Sequence, residues 1–266
     1  MKKTLKEIRE EFEEASEQEW EELSRQYSQD ERTGVRKLAE SFRKKHRALE
    51  RERQRVESLC AYEKKYADAE LICGIDEAGR GPLAGPVVAG AVILPKDARI
   101  LYINDSKQLT EKKREELYQV ILDQALAVGV GYASPGRIDE INILNATYEA
   151  MREAVGKLKL VPSLLLNDAV RIPGLDILQV PIIKGDGKSQ SIPAASIVAK
   201  VTRDRLMREY DRLMPEYGFA SNKGYGSREH IEALKKYGPS PIHRATFITH
   251  FVSGREDREE DWGKAR

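Results

Sequence analysis

LICGIDEAGRGPLAGPVVAGAVIL, residues 71–94, decides the architecture of this chain. An apolar run, Leu71–Asp76, enters it and a second, Val87–Leu94, leaves it; both predict strands. The second run is apolar almost throughout, as expected of a strand covered on both faces of its sheet. Between them Asp76 and Glu77 stand side by side, followed by Gly79-Arg80-Gly81 and by Pro82 and Pro86, which make the connection a loop. A carboxylate at the end of a buried strand is costly unless it is paired or holds a cation. The spacing of Gly79, Gly81 and Gly85 is not that of a dinucleotide-binding turn, and the acids ahead of it would repel a pyrophosphate. Either the glycines permit a tight connection, or they let bare backbone approach a ligand, with Arg80 as a charged fork beside it.

Outward from this stretch, strands and helices alternate. Thr110 opens a helix with Leu117, Val120, Ile121 and Leu122 on or near one face, Ala127–Ala133 reads as a strand, and a helix follows through Ile141–Leu158. Ser163–Asn167 and Ile177–Ile183 are short apolar strands, and Ser191–Leu213 is a long helix with Pro193 near its start, where proline is tolerated. This order predicts an α/β fold around a mixed sheet flanked by helices. Residues 1–69 differ: they contain one glycine, Gly34, and no proline. Leu5, Ile8 and Phe12 recur at helical spacing, as do Val35, Leu38 and Phe42, which predicts a helical hairpin turning near Arg32-Thr33-Gly34. Residues 1–30 carry 5 basic and 10 acidic side chains and residues 31–60 the reverse, 10 and 5. The extension reads either as a solvated amphipathic pair or as a nucleic-acid accessory using Arg43, Lys44, Lys45, Arg47, Arg51, Arg53 and Arg55. Three regions result: the extension 1–69, a catalytic domain 70–213, and a helical C-terminal region 214–266 ending in the charged GREDREEDWGKAR.

Charged residues make up 33% of the 266, yet the formal net charge is only +1, so attraction for a polyanion must come from local segregation. Residues 184–244 supply it, with 12 basic and 7 acidic side chains. The N-terminus lacks the apolar core of a signal peptide, no apolar run is long enough to span a membrane, and Cys60 and Cys73 form no framework. These features lead us to expect a cytoplasmic, soluble protein with no membrane partner.

Three of the apolar strands run into acids: the first into Asp76-Glu77, the fourth into Asp168, and the fifth, a few residues on, into Asp186. If the strands are neighbours, their ends converge. Converging carboxylates repel unless a cation neutralises them, and hard Mg²⁺ or Mn²⁺ is the cation that oxygen donors suit. Two such ions could activate water against a phosphodiester. The four histidines have no zinc spacing, and neither a nucleophile elbow nor a Walker lysine occurs. Adjacent residues of a regular strand face opposite ways. Either the backbone bends at Ala78-Gly79, or Glu77 acts through its main-chain oxygen or a bound water.

GIDEAGRGPLAGPVVAGAV (residues 74–92) resembles the signature of bacterial ribonuclease HII, a type 2 RNase H family. The likeness continues in NDSKQLT (104–110), LLNDA (165–169), KGDGKSQSIPAASIVAKVTRD (184–204) and NKGYGS (222–227), in order over roughly residues 70–250. Asn167, Gly187 and Pro193 depart from the expected pattern; no acid does. The resemblance implies an RNase H-like fold and a metal-dependent endoribonuclease. Its substrates would be RNA–DNA hybrids and duplex DNA with single embedded ribonucleotides, cut on the 5′ side to leave 3′-hydroxyl and 5′-phosphate ends. It carries catalytic and metal-binding roles onto Asp76, Glu77, Asp168 and Asp186, with Mn²⁺ or Mg²⁺, two ions, as cofactor. It carries recognition of the 2′-hydroxyl onto Gly79, Arg80 and Gly81, and of the junction onto Tyr225. Ser106, Lys107, Lys184, Lys188, Lys200 and Arg203 are candidate phosphate contacts, although Thr202-Arg203-Asp204 could instead be an intrahelical polar cluster. A monomer is expected. A structure-specific DNA endonuclease on the same fold, or a non-catalytic hybrid-binding protein with the acids as caps, would also accommodate these residues.

Overall fold

The computed structural model describes residues 2–252; the charged tail at 254–266 lies outside the described residues. The chain divides into two compact units, one up to Ser58 and one from Leu59 onward. In the first, α1 (Leu5–Glu14), α2 (Glu19–Tyr27) and most of α3 (Thr33–Leu59) pack around Ile8, Phe12, Val35, Leu38 and Phe42. The expected hairpin is therefore a three-helix arrangement. The extra break follows Ala15, where Ser16 donates through both its N–H (2.7 Å) and its hydroxyl (2.6 Å) to the Glu19 carboxylate and so starts a new helix. Part of the basic arm is internally neutralised: Arg43 pairs with Glu40 at 2.5 Å, Arg55 with Glu52 at 2.8 Å, and Arg53 with both Glu50 and Glu17.

In the second unit, the short α4 (Ala61–Lys65) precedes β1 (Ile72–Ala78) and β2 (Val87–Ile93). Next come α5 (Glu111–Gln124), β3 (Ala127–Ala133), α6 (Pro135–Gly156), β4 (Leu164–Asp168) and β5 (Leu178–Ile182). The long α7 (Ser191–Leu213) leads into α8 (Phe219–Asn222), α9 (Arg228–Tyr237) and α10 (Ala245–Val252). The strands form one mixed sheet in the order β3-β2-β1-β4-β5. β1 is antiparallel to β2 and parallel to β4, so the stretch at residues 71–94 supplies the middle strand and one of its two neighbours. This is the RNase H-like arrangement, a mixed sheet with helices on both faces. Thr110 caps α5 by accepting from the Lys113 N–H at 3.2 Å, and Asn142, at φ 66°, divides α6 near the expected helix start.

Strand alternation sorts the core. Cys73, Ile75, Ala89, Ala91 and Leu165 face α6, where Ala146, Ala150 and Met151 meet them. Val92 meets Ala194, Ala195 and Val198 of α7, and Leu164, Leu166 and Ile72 meet Ile192. The α7 backbone comes so close to β1 that a Cβ on Gly74 would overlap Ser191. Cys73 is fully buried, and desolvation pushes its thiol up to about 12, so it is inert packing. Among the described residues, no helix is long and apolar enough to cross a membrane.

Candidate active site

Parallel pairing of β1 with β4 brings the acids to one edge. Ile75 is level with Asn167, so the next rung sets Asp76 beside Asp168, on strands about 4.8 Å apart. Asp168 in turn is level with Ile182 at the end of β5. A single-turn 3₁₀ segment, Gly185–Gly187, carries Asp186 and bends back: its Gly185 N–H donates to Asp168 Oδ1 at 3.0 Å. The ends of β1 and β4 and the turn after β5 are thus neighbours. Asn167, the unexpected polar residue, is fully buried; its amide donates to Gln179 Oε1 at 3.0 Å and tethers β4 to β5 just behind Asp168.

Asp76 lies near the end of β1, partly buried. Desolvation, then the negative charge of Glu77, push its carboxyl up to about 8. The Ser196 hydroxyl of α7, the Glu77 N–H at 2.8 Å and the charge of Lys107 act in the opposite direction without offsetting that rise. The site therefore holds a part-buried acid whose negative charge its neighbours do not balance. Oxygen donors with uncompensated negative charge suit a hard divalent cation. Among the described residues, however, no three Asp, Glu, His or Cys side chains are gathered into a ready-made cage. Asp168 is occupied by the Gly185 N–H, and Glu77 by Arg80 at 3.3 Å. The donors fit a cation that would draw them together.

The orientation of Glu77 follows from the register. β1 remains regular through Ala78, which pairs with Val88, so Asp76 faces α7 while Glu77 faces the α6 side. The backbone bends one residue later, at Gly79, whose φ is +90°. A side chain there would be strained, and its Cβ would overlap the Arg203 guanidinium.

Two fully buried arginines brace the turn that follows. Arg244 donates to the carbonyls of Arg80 (2.8 Å), Gly79 (2.5 Å) and Gly85 (2.8 and 3.0 Å). Arg203 donates to those of Pro86 (2.9 Å), Ala84 (3.0 Å) and Lys223 (2.9 Å). Desolvation, and then the charge of Arg203, bring the Arg244 guanidinium down to about 9. Among the described residues no peptide bond is cis, so each N–H points opposite to the carbonyl of its own peptide. With the Gly79 and Arg80 carbonyls turned in to Arg244, the N–H groups of Arg80 and Gly81 turn away from it. Tyr225, 46% exposed, lies against this turn: a Cβ on Gly81 would be 4.0 Å from its ring.

Three candidate phosphate contacts are placed differently from expectation. Arg203 is buried and spent on carbonyls, as above. Ser106 is buried behind Asp76, its hydroxyl 2.8 Å from that of Ser196. Lys200 is mostly covered and paired with buried Asp204 at 2.7 Å, an i,i+4 pair that includes neither Thr202 nor Arg203, so a Thr202-Arg203-Asp204 cluster is not what forms. Lys107, Lys184, Lys188 and Arg80 are exposed. Sequence reasoning missed Arg244 and Ser196, since no spacing distinguishes an arginine that will meet carbonyls or a serine that will face an acid.

The Ribonuclease HII family profile matches residues 73–250, and the Ribonuclease HII N-terminal domain profile matches residues 4–67. A Ribonuclease HII of Lachnoclostridium phytofermentans is 66% identical over 227 residues, covering 85% of this chain and 89% of that one. The ribonuclease H2 of Pyrococcus horikoshii OT3 superposes with a TM-score of 0.58 at 30% identity, over 73% of this chain and 100% of its own. Bst-RNase HIII, solved in complex with Mn²⁺, shares the fold at a TM-score of 0.54 and 15% identity, over 72% and 69% of the two chains. With its motifs, its sheet order and two thirds of its length matched to one profile, the chain belongs to the ribonuclease HII family.

Proposed function

We propose that this chain is a metal-dependent endoribonuclease that cleaves RNA in RNA–DNA hybrids and incises 5′ to single ribonucleotides embedded in duplex DNA, leaving 3′-hydroxyl and 5′-phosphate ends. One observation carries the reading: the charge-unbalanced Asp76 and the outward-turned amides of Arg80 and Gly81 belong to the same few residues of chain. Asp76, Glu77, Asp168 and Asp186 would hold Mn²⁺ or Mg²⁺, two ions in all. When bound, these ions supply the positive charge that activates water and steadies the leaving oxygen of a phosphodiester.

The remaining work falls to the chain. The N–H groups of Arg80 and Gly81 are donors on a braced backbone, suited to a ribose 2′-hydroxyl, the group that separates RNA from DNA at one nucleotide. Tyr225 presents a ring beside them for the sugar. Lys107 stands near enough to Asp76 to act on its charge, and with exposed Lys184 and Lys188 it offers contacts to phosphate. An RNase HII of Archaeoglobus fulgidus has been solved in a complex with PCNA. For this chain the partners proposed are hybrid and ribonucleotide-containing duplex.

The test is cleavage of an RNA–DNA hybrid with chelator, with Mg²⁺ and with Mn²⁺. Chelator should stop cleavage and either ion should restore it. Chelator-resistant cleavage would overturn the metal assignment.

A further inference from the structure

His230 and His243 lie buried side by side in the C-terminal region, and the reading above gives them no task. Their Nε2 atoms are 3.0 Å apart. His230 Nδ1 is 2.8 Å from the Tyr225 carbonyl oxygen, and His243 Nδ1 accepts from the Ser240 N–H at 2.9 Å. Tyr217 and Phe219 pack against both rings.

Together with the Ser240 hydroxyl, 2.7 Å from His243 Nδ1 and able to donate to it, these contacts determine where the protons sit. A carbonyl oxygen can only accept, so His230 Nδ1 carries hydrogen and its Nε2 is bare. That bare nitrogen must accept from His243, which places the second hydrogen on His243 Nε2. His243 Nδ1 is then bare, as the Ser240 N–H requires. Two protons satisfy every contact in one arrangement, and a third would set N–H against N–H. Desolvation lowers the proton affinity of both rings, and for His243 the neighbouring His230 adds to the effect.

The far end of the pair reaches the braced turn. His243 bridges Ala84, and the next residue, Arg244, donates its N–H to the Leu83 carbonyl at 2.9 Å and its guanidinium to Gly79 and Arg80. We infer that His230 and His243 are positioning residues: a neutral pair in a single tautomeric state that fixes the Tyr225 backbone relative to the Gly79–Gly81 turn, and so sets the face that reads the ribose. The inference rests on the role proposed for Tyr225.

The test combines a spectrum with kinetics. In the ¹⁵N-histidine NMR spectrum of the full chain at pH 7, His230 should be protonated on Nδ1 and His243 on Nε2; the opposite tautomers, or a doubly protonated ring, would overturn the inference. On a duplex with one ribonucleotide, His230→Phe fills the volume without the donor and should raise KM by about tenfold, with kcat changed less. His230→Asn restores a donor at the δ position and should recover most of that loss. Tyr225→Ala separates the two claims. If it leaves KM unchanged, the role given to Tyr225 fails. If it raises KM while His230→Phe does not, the role given to the histidine pair fails.

Discussion

Asp76→Asn should abolish cleavage, by on the order of a thousandfold or more, and yet raise the melting temperature of the metal-free protein at pH 8. The first effect follows from the loss of a carboxylate that would hold the metal. The second follows from its environment. The folded state moves the Asp76 carboxyl from 3.8 up to about 8, so it binds that proton more tightly than the unfolded chain does. Metal-free stability contributed by this group is present below pH 3.8 and is lost as pH rises through about 8. Asparagine keeps the shape without the charge, so the gap between variant and wild type should widen across that window. Adding Mn²⁺ or Mg²⁺ should reverse the order, because ligand binding to the folded state stabilises the wild type preferentially. Thermal melts at several pH values, with and without metal, decide the matter. A metal-free wild type that melts higher than the variant at pH 8 would show that Asp76 is a structural cap.

Arg244→Met should cost roughly 3–5 kcal/mol, a fall of about ten degrees in melting temperature, and should take hybrid cleavage with it. The cost arises because methionine fills much of the volume but leaves the buried carbonyls of Gly79, Arg80 and Gly85 without this donor. Arg203→Met should be similarly damaging through Ala84, Pro86 and Lys223. The two guanidinium groups repel, since Arg203 lowers the proton affinity of Arg244. Each single variant relieves that repulsion and the double variant relieves it only once, so the double should lose more than the sum of the singles. A near-neutral Arg244→Met would contradict the bracing role.

The parts of this protein that were legible in its sequence are those where local chemistry and global packing agree. Two apolar runs broken by glycine and proline read as β1 and β2, and acids ending the apolar runs marked the sheet edge that the register of β1 and β4 then assembled. Glu77 was legible as an acid but not by its facing, because either a bend or a regular strand suited Ala78-Gly79 equally; the strand continues to Ala78. The break between α1 and α2 went unread because Ser16 and Glu19 sit among charged residues with little apolar contrast. Charge alone also misled at Arg203 and Lys200. A basic side chain on a helix reads as a surface contact until the tertiary fold brings carbonyls, or a buried Asp204, to meet it.

The most direct measurement compares kcat/KM on two duplexes of identical sequence, one all-DNA and one with a single ribonucleotide, in the presence of Mn²⁺ or Mg²⁺. The proximity of Asp76 to the outward amides of Arg80 and Gly81 predicts one incision, on the 5′ side of the ribonucleotide, and no comparable cutting of the all-DNA duplex. Equal cutting of both would contradict the coupling of cleavage to ribose recognition.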